Sequence, residues 1–493
     1  MAKASSVTDF RSNFNQRWPL WLLCFALSPL LVNRYAPEFM DADTVMQALM
    51  STQRVTLFFW GQDRYANVLP LLLSPIADPM WSLRLHLLVN AAAFFLFLEA
   101  VSHVLSLAWT KPPTLQRRLL LFSLPFGLAL CLLRPFALYQ FCVSAQPYAL
   151  SMTLLIWAAL VYQQRFVGRA LLIASAVLLF VSIGLNPANL LIVLALFAFS
   201  VWTGTPREWR GFVVIATVSF GAWTVLSATN PVHAPSSYLA FGGFRALVGS
   251  LKRSLLNLGD VALRVRYVVG VIGVLLVAAL ALGPPKLPNK LRRALLFSIA
   301  FSMAWWLFFL CNRWVQDNGS PFRYFFPLFF APIVAITVWI VGYLEDRHFA
   351  RGAVAIAGVC LCAFAVWASR PWTPLAEYKA LAAVAEPLKD AKSMHIHYFA
   401  GDYWLGWPMV FALRAENVQA FGVFDRGIAL RDRMLGALRG ELRRGQRPLA
   451  MCIGTPISTC QEQLLEATGG HWSGPQAPSL AQGSVLRMDS APP

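Results

Sequence analysis

PMWSLRLHLLVNAAAFFLFLEAVSHVLSLAWTKPPTLQRR, Pro79–Arg118, is the stretch on which the fold is decided. Through Trp109 it is dominated by apolar side chains, and as a helix it is long enough to cross a hydrocarbon core of roughly 30 Å. A short loop follows with Lys111, Arg117 and Arg118, and then the next apolar run begins. The same alternation recurs along the 493 residues, of which 58% are hydrophobic and 13% charged, with a mean hydropathy of +0.57. That is more apolar surface than a soluble core of this length hides, so lipid is part of the solvent. Because the runs are continuous rather than alternating in polarity, helices are expected and a barrel is not.

Working outward, about eleven spans are expected, near 18–32, 79–109, 118–135, 146–162, 169–184, 187–203, 211–228, 267–283, 294–311, 323–344 and 352–369. Lys3, Arg11 and Arg17 precede the first, and no small-residue cleavage site follows it, which reads as an uncleaved anchor. The formal charge of +18 sits largely in short loops, among them KPPTLQRR, QQRFVGR, TPREWRG, GPPKLPNKLRR and EDRHFAR, so it reports topology and not nucleic-acid binding. Those loops mark the cytoplasmic side. The expectation is a multi-pass protein of a bacterial inner membrane, with a cytoplasmic N-terminus and its longer loops, 33–66, 134–145, 229–266 and 312–322, outside.

Texture changes near Pro371. Residues 1–370 form the expected transmembrane domain, including an acidic first outer loop at 33–67. Residues 371–493 alternate helix-like and strand-like segments and predict a small extracytoplasmic α/β domain. The fold class is therefore mostly α, a polytopic helical bundle with this domain appended. The tail has no GxGxxG or Walker pattern. Cys452 and Cys460 lie close in sequence within it, and both a local disulfide and two separate thiols fit that spacing. The aromatics of GDYWLGWP, 401–408, suit either a sugar-stacking surface or a core.

The first loop, NRYAPEFMDADTVMQALMSTQRVTLFFWGQDRYANVLPLLLSPIADP, carries Glu38, Asp41, Asp43, Asp63 and Asp78. Gln47, Ser51 and Arg54 share one helical face and Val45, Met46, Leu49 and Met50 another, predicting an interfacial amphipathic helix. An acid preceding a helix caps its free N–H groups, a role that suits Asp43 better than Asp41. A carboxylate near the bilayer surface can act as general base, and a DxD pair can instead share a divalent cation, so cofactor use stays open. Arg64, Arg134, Lys252, Arg253 and Arg323, with Tyr324, are candidates for contacting a phosphate, for which Arg is well shaped. Each also suits a headgroup anchor. Asp63, His86 and Asn186 are polar groups available to a substrate. Glu99 and His103, four apart, are expected to hydrogen-bond each other.

MDADT at 40–44, WGQDRYANVLPLL at 60–72, AQPYAL at 145–150, GLNPANLL at 184–191 and FRYFFP at 322–327, set in this architecture, resemble the GT-C superfamily of membrane glycosyltransferases. Protein mannosyltransferases and lipid A aminoarabinose transferases are members. The resemblance implies transfer of a sugar from a polyprenyl-phosphate carrier to an extracytoplasmic glycan, lipid or protein by inverting displacement. It puts the base at Asp41, with Asp43 second, and carrier-phosphate binding at Arg64, Arg323, Lys252 and Arg253. Known members commonly have more spans, and the tail lacks a WWDYG-like motif, which disfavours oligosaccharyl transfer to Asn. A transporter or flippase of lipid-linked glycans is the rival class, and it predicts charges lining a through-path.

Overall fold

The computed structural model describes residues 17–489 apart from 61–65, 110–113, 145–147, 165–167, 230–239, 265–286, 347–351, most of 353–363, 370, 425–429 and 475–482. The described chain is mostly helical, with one small mixed sheet. Its principal helices before the tail are α1 (Trp18–Phe39), α2 (Ala42–Gln53), α3 (Pro79–Ala108), α4 (Leu115–Leu132), α5 (Pro135–Cys142), α6 (Tyr148–Gln163), α7 (Arg169–Leu185), α8 (Asn189–Trp202), α9 (Pro206–Ala228), α10 (Phe244–Asn257), α11 (Asn289–Cys311) and α12 (Phe326–Asp346).

Six segments among the described residues are long and apolar enough to cross a membrane: α1, α3, α4, α9, α11, and α12 with the 3-10 turn that leads into it, Phe322–Leu344. Eleven were expected. Three of the others, α6, α7 and α8, are apolar helices of 16, 17 and 14 residues. At 1.5 Å per residue they reach about 25 Å or less, against a core of roughly 30 Å, so they stand apart from the six. The expected span at 267–283 lies outside the described residues, and half of that at 352–369 does.

The chain divides into two compact units: Met1–Tyr35, Val89–Ala222 and Ser236–Arg370 form the first, and Ala36–Leu88, Trp223–Pro235 and Pro371–Pro493 the second. In the first unit the interior is rich in phenylalanine. Phe95 meets Phe126 at 5.1 Å, and Phe141 of α5 meets Phe322, Phe326, Phe329 and Phe330. Most of these pairs are edge-to-face, the geometry that sets ring edges on π-faces. Glu99 is not joined to His103 as expected. Arg17 takes it, Nε to Oε1 at 2.7 Å and Nη2 to Oε2 at 2.5 Å, while the guanidinium lies 4.1 Å from the Trp157 ring centre. A fully charged, bidentate partner answers a buried carboxylate better than a neutral imidazole does.

In the second unit the tail forms strands β1 (Tyr398–Gly401), β2 (Phe421–Val423), β3 (Leu449–Ile453), β4 (Trp472–Ser473) and β5 (Gly483–Met488), ordered β2-β1-β3-β5-β4. β1 runs parallel to β2 and β3, with Tyr398 opposite Phe421 and Ala450, whereas β5 is antiparallel to both β3 and β4. Helices α13 (Tyr403–Ala415), α14 (Arg431–Arg443) and α15 (Ile457–Thr468) connect the strands. α13, α14 and the first three strands fall near the helix-like runs at 403–415 and 427–445 and the strand-like runs SMHIHYF, VQAFGVF and PLAMCIG, whereas α15 was not expected. β1 begins later than the run SMHIHYF suggests, because His395 takes a positive φ of 53°. All four residues of β1 are buried, as expected of a central parallel strand. Burial and the Glu441 carboxylate, which accepts the Tyr398 hydroxyl at 2.9 Å, hold that phenol well above its usual range. Cys452 and Cys460 form a disulfide across the turn after β3. In that turn Gly454 has φ +68°, and a Cβ there would sit 2.9 Å from the Asp402 Cβ, so the position suits glycine alone.

Candidate functional site

The acids of the first loop lie where α1 ends and α2 begins. Asp41, with φ −120° and ψ 172°, is the N-cap of α2, and its Oδ1 accepts the Thr44 N–H at 3.0 Å and the Thr44 hydroxyl at 2.7 Å. The capping role expected of Asp43 therefore belongs to Asp41. The reason is the position of the break: Asp41 is the last residue with extended backbone, and Asp43 is already inside the first turn. Asp43 is 6% exposed, and the Tyr403 hydroxyl donates to its Oδ1 at 2.6 Å. Asp41 keeps partial exposure.

Tyr403 opens α13, whose N-cap is also an aspartate: Asp402 accepts from the N–H groups of Trp404 and Leu405 at 2.8 and 3.0 Å. Two aspartate-capped helix starts thus meet within one unit. Packing continues along both helices, and Trp60 meets Trp407 at 5.7 Å. At the other end of α2, Arg433 Nη1 donates to the Gln53 carbonyl at 2.9 Å, satisfying a carbonyl that the helix leaves open. The expectation of an interfacial α2 is corrected here. Residues Ala42–Ser51 are all buried, Gln47 and Ser51 included, and Ser51 Oγ meets Ser82 Oγ at 2.7 Å. Ser51 on the polar face thus has a protein partner, while Arg54 at the end of the helix stays exposed.

His86 is fully buried one turn beyond Ser82, with Nδ1 2.8 Å from the Ser82 carbonyl, and its Nε2 has no hydrogen-bond partner among the described residues. Asn67 ties the loop that returns from α2: Nδ2 donates to the carbonyls of Phe58 and Thr56 at 2.7 and 3.0 Å. Asp63 and Arg64, expected at the tip of that loop, lie outside the described residues.

The basic candidates other than Arg64 belong to the first unit. Arg134 caps the start of α5, and its guanidinium donates to the carbonyls of Leu263 and Asp260, closing the π-helical turn Leu258–Ala262 that follows α10. A bridge between Leu133 and Leu263 brings this segment alongside, so Arg264, whose N–H donates to Leu132 O, becomes a neighbour of Arg134. Arg34 lies 4.1 Å over the Trp367 ring. Arg323 belongs to the turn Phe322–Phe325, which packs on α5 through Phe322 and Phe136 at 5.9 Å. Tyr324 accepts the Trp314 indole N–H at its hydroxyl, at 2.9 Å. Arg134, Arg264 and Arg323 thus come from three segments that pack around one short helix. Lys252 and Arg253 stand exposed on α10. Asn186 ends α7, and its Oδ1 accepts the Ala188 N–H at 3.2 Å, a local turn that bends the chain into α8.

Arg34 and Arg264 were missed by sequence reasoning, and Tyr403 was read as an aromatic for sugar stacking or a core and not as the partner of an acid. Arg34 adjoins the acidic loop and was visible as an outer cation; the other two acquire meaning only through pairing with residues far away in the chain. Among the described residues no three His, Cys, Asp or Glu gather as metal ligands. No protein-family model and no curated protein matches the chain.

Proposed function

We propose that this protein is an integral membrane glycosyltransferase that moves a sugar from a polyprenyl-phosphate carrier to an extracytoplasmic acceptor. What carries the proposal is Asp41: a carboxylate fixed at a helix start by two hydrogen bonds on one oxygen, partly exposed, and set beside a second acid that is buried under a tyrosine. Such a group is oriented without being enclosed. In the proposed step the acceptor hydroxyl passes its proton to Asp41 while its oxygen bonds to the anomeric carbon. The bond from that carbon to the phosphate oxygen breaks, and the electron pair leaves on the lipid phosphate. Asp41 is assigned the base in preference to Asp43, since a base must be reached by its substrate. Charge on the departing phosphate calls for fixed cations, a task that the resemblance assigns to Arg64, Arg323, Lys252 and Arg253. The topology proposed with it has eleven spans: the six long segments, α6 to α8, and the stretches 267–283 and 352–369. The N-terminus is cytoplasmic and the tail faces the periplasm.

The test is Asp41→Asn. Asparagine caps a helix about as well as aspartate, so the fold is kept while the proton acceptor is lost. In proteoliposomes supplied with polyprenyl-phospho-sugars and glycan or lipid acceptors, wild type should release polyprenyl phosphate, and the variant should do so about 10²- to 10⁴-fold more slowly. Equal rates would remove Asp41 as base. If wild type transfers no sugar but moves a lipid-linked glycan across the bilayer, the transporter class takes its place.

A further inference from the structure

We propose that α10 lies in the plane of the membrane and that its outer surface recognises anionic phospholipid. With 14 residues the helix spans about 21 Å, too short to cross, and at 100° per residue its side chains sort into three strips.

One strip is fastened to protein by small polar groups. Ser250 Oγ bonds Ser320 Oγ, Ser254 Oγ accepts the Trp306 indole N–H at 2.9 Å, and Asn257 Nδ2 donates to the carbonyls of Gly319 and Ser320 at 3.1 and 3.0 Å. The adjoining strip is apolar and open: Phe244 is 79% exposed, Val248 52% and Leu255 53%, and Phe241 just before the helix is 59% exposed. The third carries Arg245, Lys252 and Arg253, all exposed, and the helix contains no acid. Asp260, in the turn beyond it, is the nearest carboxylate along the chain.

A helix facing water would not leave a large aromatic four-fifths exposed beside two aliphatic residues on the same face. A helix lying among acyl chains alone would not carry three cations, none of which is in an ion pair among the described residues. An apolar strip edged by a cationic one is the pattern of an interfacial helix, whose apolar side enters the acyl boundary while its cations reach the headgroup phosphates. The charge selects for anionic lipid, each Lys or Arg near such a surface being worth about a five-fold preference. The serine and asparagine bonds fix the rotation of the helix about its axis, so the apolar strip is presented as built. The inference does not depend on sugar transfer.

The experiment uses the full chain with a fluorescent amino acid introduced at Phe244 by codon suppression. The protein is reconstituted in phosphatidylcholine vesicles with and without phosphatidylglycerol, and quenching is measured with doxyl-labelled phosphatidylcholine, doxyl-labelled phosphatidylglycerol and aqueous iodide. The expected result is quenching by both doxyl lipids, several-fold more by the glycerol lipid at equal mole fraction, and little by iodide. The combined variant Arg245→Gln, Lys252→Gln, Arg253→Gln should keep the quenching by lipid and lose the preference. Iodide quenching without doxyl quenching would place the helix in water and overturn the proposal. A label shielded from both would show a protein partner on the strip and overturn it equally. Equal quenching by the two lipids in wild type would remove the charge recognition.

Discussion

At the scale of single residues, DAD at 41–43 shows what a sequence leaves open. Either acid can cap a helix, because each has backbone N–H groups two and three positions ahead. The choice depends on where the preceding helix stops, and α1 runs to Phe39 where the expected span closed at 32. Once that break is placed, Asp41 is the cap and Asp43 the buried acid. Asp41→Ala should then cost about 1 kcal/mol of stability, and Asp41→Asn only a few tenths. Thermal unfolding of the purified protein in one detergent compares them directly, and an equal loss for both would mean that the charge, and not the cap, holds the helix start. The Glu99 pairing was illegible for a different reason. Its near neighbour His103 was visible, whereas Arg17 stands 82 residues away and is found only when the chain folds.

Whole elements were more legible than their surroundings. Hydropathy located the long apolar helices, and turn residues with short apolar runs located β1, β2 and β3, because these depend on local periodicity. The fate of α2 was misread, since Ala42–Ser51 are buried in protein, with Ser51, Asp43 and the Gln53 carbonyl met by Ser82, Tyr403 and Arg433, none of them adjacent in sequence. β4 and β5 went unseen for a related reason. Trp472–Ser473 is two residues long, and β5 alternates weakly, so the pair exists through its register with β3. The Cys452–Cys460 link staples the end of β3 to the first turn of α15 across a sequence separation of 8. Closing so short a loop is worth about 2.5 kcal/mol in the chain-entropy account. Reduction, or Cys452→Ser with Cys460→Ser, should lower the unfolding free energy by that amount, read as a fall in the denaturant midpoint. Dithiothreitol titration followed by urea unfolding measures it, and an unmoved midpoint would count against a bond that holds the fold.

For the molecule as a whole, the sequence suggested a bundle with a separable domain after residue 370, whereas the second unit gathers three stretches of chain, 36–88, 223–235 and 371–493. The tail is therefore not finished by its own residues. Tyr403 and Trp407 of α13 are completed by Asp43 and Trp60, and Arg433 of α14 by Gln53. Reciprocally, Val45, Met46, Leu49 and Met50 are fully buried in a unit to which the tail contributes most of the residues. Burying side chains of that size stabilises by about 1.5–3 kcal/mol each, so removing their cover should open α2 without melting the phenylalanine core of the first unit. A chain ending at residue 370 is expected to insert in membranes yet to be cut by chymotrypsin at Met46 or Leu49, sites protected in the full chain. Adding back residues 371–493 as a separate polypeptide should restore protection in proportion to its concentration, as binding to the folded form requires. A truncated chain as resistant as the full one would mean that α2 owes its burial to its own neighbours in 36–88, and the tail would return to being an appendage. Protection that depends on the tail would instead make the first-loop acids and the tail a single structural element, so that any change in the tail's stability is felt at Asp41.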